Sequence, residues 1–340
     1  MSHFNTLDHE QQVASLQRLA LAALRQWDGD FVGLDLIKYR ENAVFCATRS
    51  DGGRCALRVH RDGYHSEEAL RSELQWMEAL AADGIRVPQI IRTRDGEHLT
   101  RVHSDELDEA RYVDMLGWLG GASIGSAEHG LEVETDVAGL FFDTGAVAAR
   151  IHQSSARWEQ PNAFSRHAWD EEGLVGQRPF WGPYWELDLL DDAQRDLLQA
   201  TRQAARVDLR RYGRSLDNFG MIHADLVPEN LLLDDAQLHL IDFDDAGFGW
   251  HMFELATALY FCLDDPRYTE IQAALLAGYH SVKPLGADDR ATLPLFLALR
   301  GLTYLGWIHT RRESRTAEEL GPLLVERACR LARAYLDQRR

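Results

Sequence analysis

The spacing of hydrophobic residues divides the chain into a first part rich in predicted strands and a second part rich in predicted helices. Alternating or short apolar segments predict strands at 31–39, 43–48, 55–60, 87–92, 96–102 and 111–116. Apolar residues at helical spacing predict helices at 6–27, 67–82, 144–154, 193–211, 254–263, 268–281, 291–310 and 317–338. A pair of short strands around loops is predicted within 222–243.

Two glycine-containing segments divide this pattern. Asp51-Gly52-Gly53 is a strong turn signal, and it predicts a hairpin between the second and third strands. The glycine-rich stretch 117–121 has the composition of a hinge. We therefore expect an α+β protein of two lobes, with residues 1–116 forming a β-rich lobe after an N-terminal helix and residues 117–340 forming a mainly helical lobe.

Composition and charge exclude several classes of partner. The formal charge is −18, from 36 Lys+Arg against 54 Asp+Glu, and such a surface repels nucleic acid and anionic lipid. The four cysteines form no CxxC pair, which is typical of reduced thiols in a cytoplasmic protein. The first residues lack the basic start and apolar run of a signal peptide, and the apolar stretch 293–308 is interrupted by Arg300. We expect a cytoplasmic protein without a membrane span.

The segment 221–245 carries the candidate chemistry. A polar loop containing Asp225 and Asn230 lies between two apolar runs, and the chain then turns back towards Asp242. The end of this hairpin should lie beside the loop, so the three side chains should lie close together. Two carboxylates and an amide supply the oxygen ligands that Mg²⁺ prefers. A carboxylate that is not bound to the metal can accept a proton from a hydroxyl, a combination that phosphoryl transfer requires.

This segment resembles a known family motif. His223-x-Asp225, followed by Asn230 and then Asp242, resembles the catalytic loop and metal-binding aspartate of kinase-fold phosphotransferases. Its form, with Pro228, is similar to the aminoglycoside phosphotransferase and choline kinase superfamily, and closest to the bacterial branch of stress-response kinase A and type II homoserine kinases. The resemblance implies a two-lobed protein-kinase-like fold. It also implies that Asp225 is the proton acceptor, that Asn230 and Asp242 bind Mg²⁺, with Asp242 also catalytic, and that His223 braces the loop.

The resemblance also implies how ATP is bound. In the family, a strand lysine of the first lobe binds phosphates and pairs with a helix glutamate. Arg58 stands where that lysine is usual, and Glu73 fits the glutamate, although Glu67 and Glu68 are nearby alternatives. Arginine keeps the charge but is longer and planar, so the phosphate geometry must differ. The hinge backbone near Gly117 and Leu119 is expected to bind the adenine edge.

Residues after the catalytic loop indicate the class of acceptor. Asp244, Trp250 and Glu254 are candidate substrate contacts in an acidic region. Aromatic side chains that could bind an ammonium group are Trp181, Tyr184, Trp185, Trp250, Tyr304 and Trp307. For any single one of them, packing in the helical core or exposure to solvent is the more frequent situation.

Three functions remain open on this evidence. The first is an ATP- and Mg²⁺-dependent kinase that phosphorylates a hydroxyl of a small amine-bearing molecule, such as an amino alcohol, homoserine or an aminoglycoside. The second is a serine/threonine protein kinase of the stress-response type, with a protein acceptor. The third is a pseudokinase that binds nucleotide without transfer, which Arg58 favours and the complete set of Asp225, Asn230 and Asp242 disfavours.

Overall fold

The computed structural model describes residues 3–40, 42–104, 109–127, 129–133, 136–235, 237–312 and 314–339. These residues form two compact units. The first unit comprises residues 1–120 together with the short segment 160–165, and the second comprises 121–159 and 166–340.

The first unit is built on an antiparallel sheet. Its strands are β1 (Phe31–Tyr39), β2 (Ala43–Arg49), β3 (Arg54–Val59), β4 (Leu99–Ser104) and β5 (Glu109–Gly117), and its helices are α1 (His9–Ala23) and α2 (Glu67–Ala82). The five strands lie in the order β1-β2-β3-β5-β4. The predicted hairpin joins β2 to β3, and Gly52 takes a φ of 85° in its turn, a conformation that glycine adopts without strain.

The helices of this unit begin at polar caps and bury one face. Asp8 caps α1 and Ser66 caps α2, each by accepting a hydrogen bond from the backbone N–H three residues later. The helix α1 contributes Leu16 and Leu19 to a core that also contains Phe45 from β2. The predicted strand at 87–92 is reduced to one bridge, between Ile90 and Leu116, in a segment where Pro88 lacks an N–H donor.

The second unit is mainly helical, with short strands around its loops. Its strands are β6 (Ala122–Ser123), β7 (Gly125–Ser126), β8 (Gly130–Leu131), β9 (Ala168–Trp169), β10 (Phe219–Ile222), β11 (Leu231–Asp234), β12 (Gln237–Leu240) and β13 (Gly247–Trp250). Its helices are α3 (Val137–Arg157), α4 (Glu171–Val175), α5 (Asp192–Tyr212), α6 (His251–Tyr260), α7 (Tyr268–Val282), α8 (Ala287–Ala291), α9 (Leu293–Thr310) and α10 (Arg315–Asp337). The α+β class predicted from the sequence is confirmed.

Close helix packing surrounds the loop that carries the candidate chemistry. The helices α3 and α7 approach so closely that a Cβ on Gly278 would lie 1.8 Å from the carbonyl oxygen of Phe142. The helix α9 is buried on almost all sides, including the side chain of Arg300. None of the helices in the described part of the chain is long and apolar enough to cross a membrane.

Candidate active site

The loop between β10 and β11 folds back on itself so that Asn230 meets Asp225. Ala224 takes a φ of 63°, and Pro228 begins a single 3₁₀ turn, Pro228–Asn230. The amide nitrogen of Asn230 then donates to the backbone oxygen of Asp225 at 3.0 Å and to its carboxylate Oδ2 at 2.8 Å. This arrangement fixes the loop around the side chain that is predicted to accept a proton.

Asn230 also connects the loop to the segment that contains Asp242. Its backbone oxygen accepts a hydrogen bond of 3.1 Å from the N–H of Ile241, and Asp242 follows with a φ of 65°. Because both hydrogens of the Asn230 amide bind Asp225, the amide oxygen is the atom that can bind a cation. The amide oxygen of Asn230 and the carboxylate of Asp242 are oxygen ligands of the kind that a divalent cation takes.

The protein part of this candidate metal site is small. The described residues contain no group of three or more His, Cys, Asp or Glu side chains arranged to hold a metal ion. A divalent ion held by one amide oxygen and one carboxylate would take its remaining ligands from phosphate oxygens and water, a common arrangement for Mg²⁺ in phosphate-transferring enzymes.

Two buried residues support the backbone of the loop. Glu254, on α6, is fully buried, and its two carboxylate oxygens accept hydrogen bonds from the N–H groups of His223 (2.8 Å) and Ala224 (2.6 Å). His223 accepts from the N–H of Asp225 at 3.2 Å, and its Nε2 lies 3.1 Å from the oxygen of Ile241. Through these contacts both His223 and Glu254 bind the backbone of the loop.

A buried arginine lies against Asp225. Nη2 of Arg300 donates to Oδ1 of Asp225 at 2.9 Å, whereas the Asp225 side chain keeps 19% of its surface exposed. Burial raises the pKa of Asp225 well above its usual value; Arg300 opposes this effect, and the charges of Asp245, Asp242 and Glu229 add to it. Asp225 is therefore a partly exposed carboxylate surrounded by other acids and contacted by one cation.

Sequence reasoning missed the pairing of Arg300 with Asp225, although a signal was present. The segment 293–308 is apolar apart from Arg300. An arginine in a buried helix needs a partner, because leaving a buried charge unpaired is costly. The identity of that partner, 75 residues earlier in the chain, is not given by any local pattern.

The structure places the three residues predicted to contact substrate in the interior of the second unit. Trp250 is buried and donates from Nε1 to the oxygen of Gly213, and Glu254 binds the loop backbone as described above. Asp244 is only 5% exposed, and its backbone oxygen accepts a hydrogen bond from Arg166. The side chains of Trp250 and Glu254 thus make hydrogen bonds inside the second unit, and that of Asp244 is buried there.

The aromatic residues are also engaged within the protein. Trp181, Tyr184, Trp250 and Tyr304 are buried. The guanidinium of Arg202 lies 4.0 Å from the ring centroid of Trp185, and that of Arg311 lies 5.2 Å from the ring of Trp307. The prediction that these rings bind a substrate ammonium group is not supported, because the protein's own arginines stack on them or they lie in the helical core.

In the first unit, Arg58 is held by two carboxylates. It donates to both oxygens of Asp114, at 2.8 Å and 2.7 Å, and to Glu73 at 2.8 Å. His60 lies 2.8 Å from the same Asp114. The predicted pairing of Arg58 with Glu73 is therefore present, whereas Asp114 is an additional partner that the sequence pattern did not indicate.

Other residues predicted to bind nucleotide lie near the end of β5. The N–H of Gly117 donates to the oxygen of Gln89 at 2.7 Å, so this donor is already used within the first unit. Leu119 follows in a segment without regular secondary structure and is partly buried. Glu67 binds Arg71 at the surface, whereas Glu73 contacts Arg58.

Comparison with known proteins agrees with this geometry. The model of a family described as "Phosphotransferase enzyme family" matches residues 38–291. The amicoumacin kinase of Bacillus subtilis (strain 168) is 26% identical, with 92% of this chain and 88% of that protein covered. The homoserine kinase of Methylobacillus glycogenes is also 26% identical, with coverage of 99% and 98%.

Solved structures have the same fold. A microcompartment-associated aminopropanol kinase is 32% identical and superposes with a TM-score of 0.84, covering 94% of this chain and 98% of that one. An amicoumacin kinase in complex with AMP-PNP, Ca²⁺ and amicoumacin is 21% identical, with a TM-score of 0.75 and coverage of 97% and 96%. The kinase-like fold predicted from the sequence is confirmed.

Proposed function

The chain belongs to the phosphotransferase enzyme family, and we propose that it transfers the γ-phosphate of ATP, with Mg²⁺, to a hydroxyl of a small amine-bearing molecule. The observation that carries this proposal is the hydrogen bond between Asn230 and Asp225, together with the bond from the Ile241 N–H to the Asn230 oxygen that brings the segment of Asp242 beside this loop. The relative that was solved with AMP-PNP and a divalent cation supports ATP and a divalent metal ion as the partners of the reaction.

In this proposal, each residue of the loop has a separate task. Asp225 accepts the proton of the acceptor hydroxyl while that oxygen forms its bond to the γ-phosphorus. The bond between the γ-phosphorus and the bridging oxygen breaks, and ADP leaves. Asn230 and Asp242 hold the divalent cation, which neutralises phosphate charge when it is bound. In the first unit, Arg58 contacts phosphate and Glu73 holds Arg58 in position. The backbone of Leu119 contacts adenine.

The acidic surroundings of Asp225 support an amine-bearing acceptor. The charges of Asp245, Asp242 and Glu229 all act on Asp225, and a carboxylate-rich site attracts a cationic ligand. Aminopropanol and homoserine, which the names of two relatives mention, each carry an amino group and a hydroxyl group. Attraction by these carboxylates replaces the aromatic contacts that the sequence had suggested.

An ADP-release assay over a panel of amino alcohols and hydroxyl-bearing amino acids tests this proposal. We expect acceptor-dependent turnover with Mg²⁺-ATP, and a loss of about 100-fold or more in kcat/KM when the amino group of the best acceptor is replaced by hydrogen, since a charged contact is then lost. The Asp225→Asn variant serves as the blank. Equal turnover of the deamino acceptor would contradict an amine-bearing substrate, and no turnover on any small molecule would contradict a small-molecule kinase.

A second candidate function, nucleotide binding without phosphate transfer, is kept because Arg58 is bound by two carboxylates. A cation that already binds Asp114 and Glu73 has less charge to offer a phosphate, which favours nucleotide binding without transfer. Calorimetry with Mg²⁺-ATP, together with radiolabelled ATP and a generic protein acceptor, separates the cases. Binding without any transfer would indicate a pseudokinase, and label on protein would indicate a protein kinase.

A further inference from the structure

The carboxylate of Asp225 is held at both oxygens by different side chains. Asn230 donates to Oδ2 at 2.8 Å, and Arg300 donates to Oδ1 at 2.9 Å. Each carboxylate oxygen has two acceptor positions, so one position on each oxygen remains for another donor. Two donors on two oxygens fix the plane of the carboxylate and therefore the direction in which it can meet a hydroxyl.

We infer that Arg300 is a positioning residue, which sets the orientation of the Asp225 carboxylate through the contact between its Nη2 and Oδ1. This inference rests on the proposed function, in which Asp225 accepts a proton from the acceptor. Arg300 itself is fully buried on α9 and does not reach solvent, so it acts through Asp225.

Aromatic rings hold the guanidinium of Arg300 in place. Its Cζ lies 4.3 Å from the ring centroid of Tyr304, 4.7 Å from that of Trp181 and 5.5 Å from that of Phe253. The hydroxyl of Tyr304 also accepts a hydrogen bond of 2.8 Å from Nη2. A flat guanidinium stacks on such rings, and a lysine ammonium could not reproduce both the stacking and the direction of the donors.

The side-chain hydrogen bonds of Arg300 to Asp225 and Tyr304 both come from one nitrogen, Nη2. Nε and Nη1 of Arg300 have no hydrogen-bond partner among the residues that the structure describes. Arg300 places one nitrogen between Asp225 and Tyr304, and this single ionic contact is with the proposed base.

The chain contains a matched control. Arg327, on α10, is also buried, and its Cζ lies 5.3 Å from the ring of Tyr260 and 5.8 Å from that of Phe261. Its Nη2 donates to Asp264 at 2.7 Å. Arg327 therefore resembles Arg300 in burial, ring contacts and carboxylate pairing, and its carboxylate partner is not the proposed base.

Steady-state kinetics of Arg300→Met and Arg300→Lys, beside Arg327→Met, test the inference with the acceptor found in the screen. We expect Arg300→Met to lower kcat by about 100-fold with the KM for ATP within about threefold, since only the orientation of the base changes. Arg300→Lys should recover about tenfold or less of that loss. Arg327→Met should keep kcat within about threefold for the folded protein. A kcat of Arg300→Met equal to that of the wild-type protein would overturn the inference.

Rescue by a small cation adds a measurement that a purely structural role would not affect. Guanidinium ion at about 20 mM should raise the kcat of Arg300→Ala by about tenfold and leave that of Arg327→Ala unchanged, because only the cavity left by Arg300 adjoins the base.

If the Arg300 variants fail to fold, Tyr304→Phe is the alternative, since it removes one acceptor from Nη2 of Arg300 and keeps the aromatic ring. An unchanged kcat in Tyr304→Phe would then count against the inference, and a fall of about threefold to tenfold would support it.

A crystal structure separates failure of this inference from failure of the proposed function. If the wild-type protein transfers phosphate to no acceptor, the proposed function fails. The orientation of the Asp225 carboxylate in a crystal structure of Arg300→Met still decides the role of Arg300. Tyr304→Phe is used in its place if Arg300→Met does not fold. A rotated carboxylate that has lost its contact with Asn230 supports positioning by Arg300. An unmoved carboxylate overturns it.

Discussion

Two buried arginines, one in each unit, bind aspartates in ways that have opposite electrostatic results. In the first unit, the charges of Arg58 and His60 outweigh the effect of burial and lower the pKa of Asp114 to about 2. In the second unit, burial raises the pKa of Asp225 well above its usual value, although Arg300 lies 2.9 Å away. An arginine beside a buried aspartate therefore does not by itself determine the ionisation of that carboxyl group.

The difference comes from the number of bonds and from the neighbouring charges. Arg58 binds both oxygens of Asp114, and His60 adds a further contact, so the negative charge is well compensated. Arg300 contacts only one oxygen of Asp225, and nearby acids add negative charge. The first arrangement stabilises an ion pair, whereas the second keeps an excess of negative charge that a metal ion and a cationic acceptor can offset.

The largest effect is expected from removing the charge of Asp225. Asp225→Asn should lower kcat by about 10⁴-fold, because the amide cannot accept the proton, and it should also lower the free energy of unfolding, since the buried Arg300 loses its carboxylate partner. Kinetics and urea denaturation measure the two effects. Asp264→Asn, which removes the carboxylate partner of Arg327, is the control and should keep its kcat. Activity of Asp225→Asn close to that of the unchanged chain would rule out Asp225 as the base.

The corresponding change in the first unit should affect stability. Asp114→Asn removes the charge of a carboxylate that accepts two hydrogen bonds from Arg58, and loss of one partner in a buried ion pair costs about 3 kcal/mol or more. Urea denaturation measures this loss. Glu67→Gln, which removes the charge of a surface pair with Arg71, is the control and should cost about 0.5 kcal/mol or less. A stability loss no larger than that of the control would show that the Asp114 contacts contribute little.

The smallest effect is expected from lowering the pH, which should reduce the free energy of unfolding. Because the pKa of Asp114 is lower in the folded protein than in the unfolded chain, its ionic contacts stabilise the fold above pH 4, and this contribution is lost as the pH falls towards 2. The loss should be about 2 kcal/mol, from a shift of roughly two pKa units. Urea denaturation of the wild-type protein and of Asp114→Asn, measured between pH 6 and pH 2, isolates the contribution of Asp114. Parallel curves for the two proteins would contradict the lowered pKa.

The sequence predicted local features better than pairings between distant residues. The loop residues Asp225 and Asn230 are five positions apart and close their contact within one turn, so their spacing carried the information. Arg58 and Asp114 are 56 residues apart, and their pairing depends on the order of strands in the sheet, with β3 beside β5. Spacing along the chain cannot give such a contact, because it depends on which strands are neighbours.

The aromatic residues predicted on the substrate side make contacts within the protein, which the sequence could not show for a related reason. Tryptophan and tyrosine can bind a substrate cation or a cation of the protein itself, and the sequence does not distinguish the two. In the structure, Arg300 lies against Trp181 and Tyr304. For Glu73, by contrast, the family resemblance was informative, because the residue is buried on α2 with Leu70, Leu74 and Met77 and binds Arg58.

The separation of Asp225 from Arg300 has a consequence for the newly synthesised chain. Arg300 follows Asp225 by 75 residues, so the ribosome adds the arginine about 4 to 15 s after the aspartate, at ordinary rates of translation. During that interval the loop can close around Asn230, but the second donor to its carboxylate has not yet been made. The proposed base is therefore completed late in biosynthesis, after the first unit and most of the helices have left the ribosome.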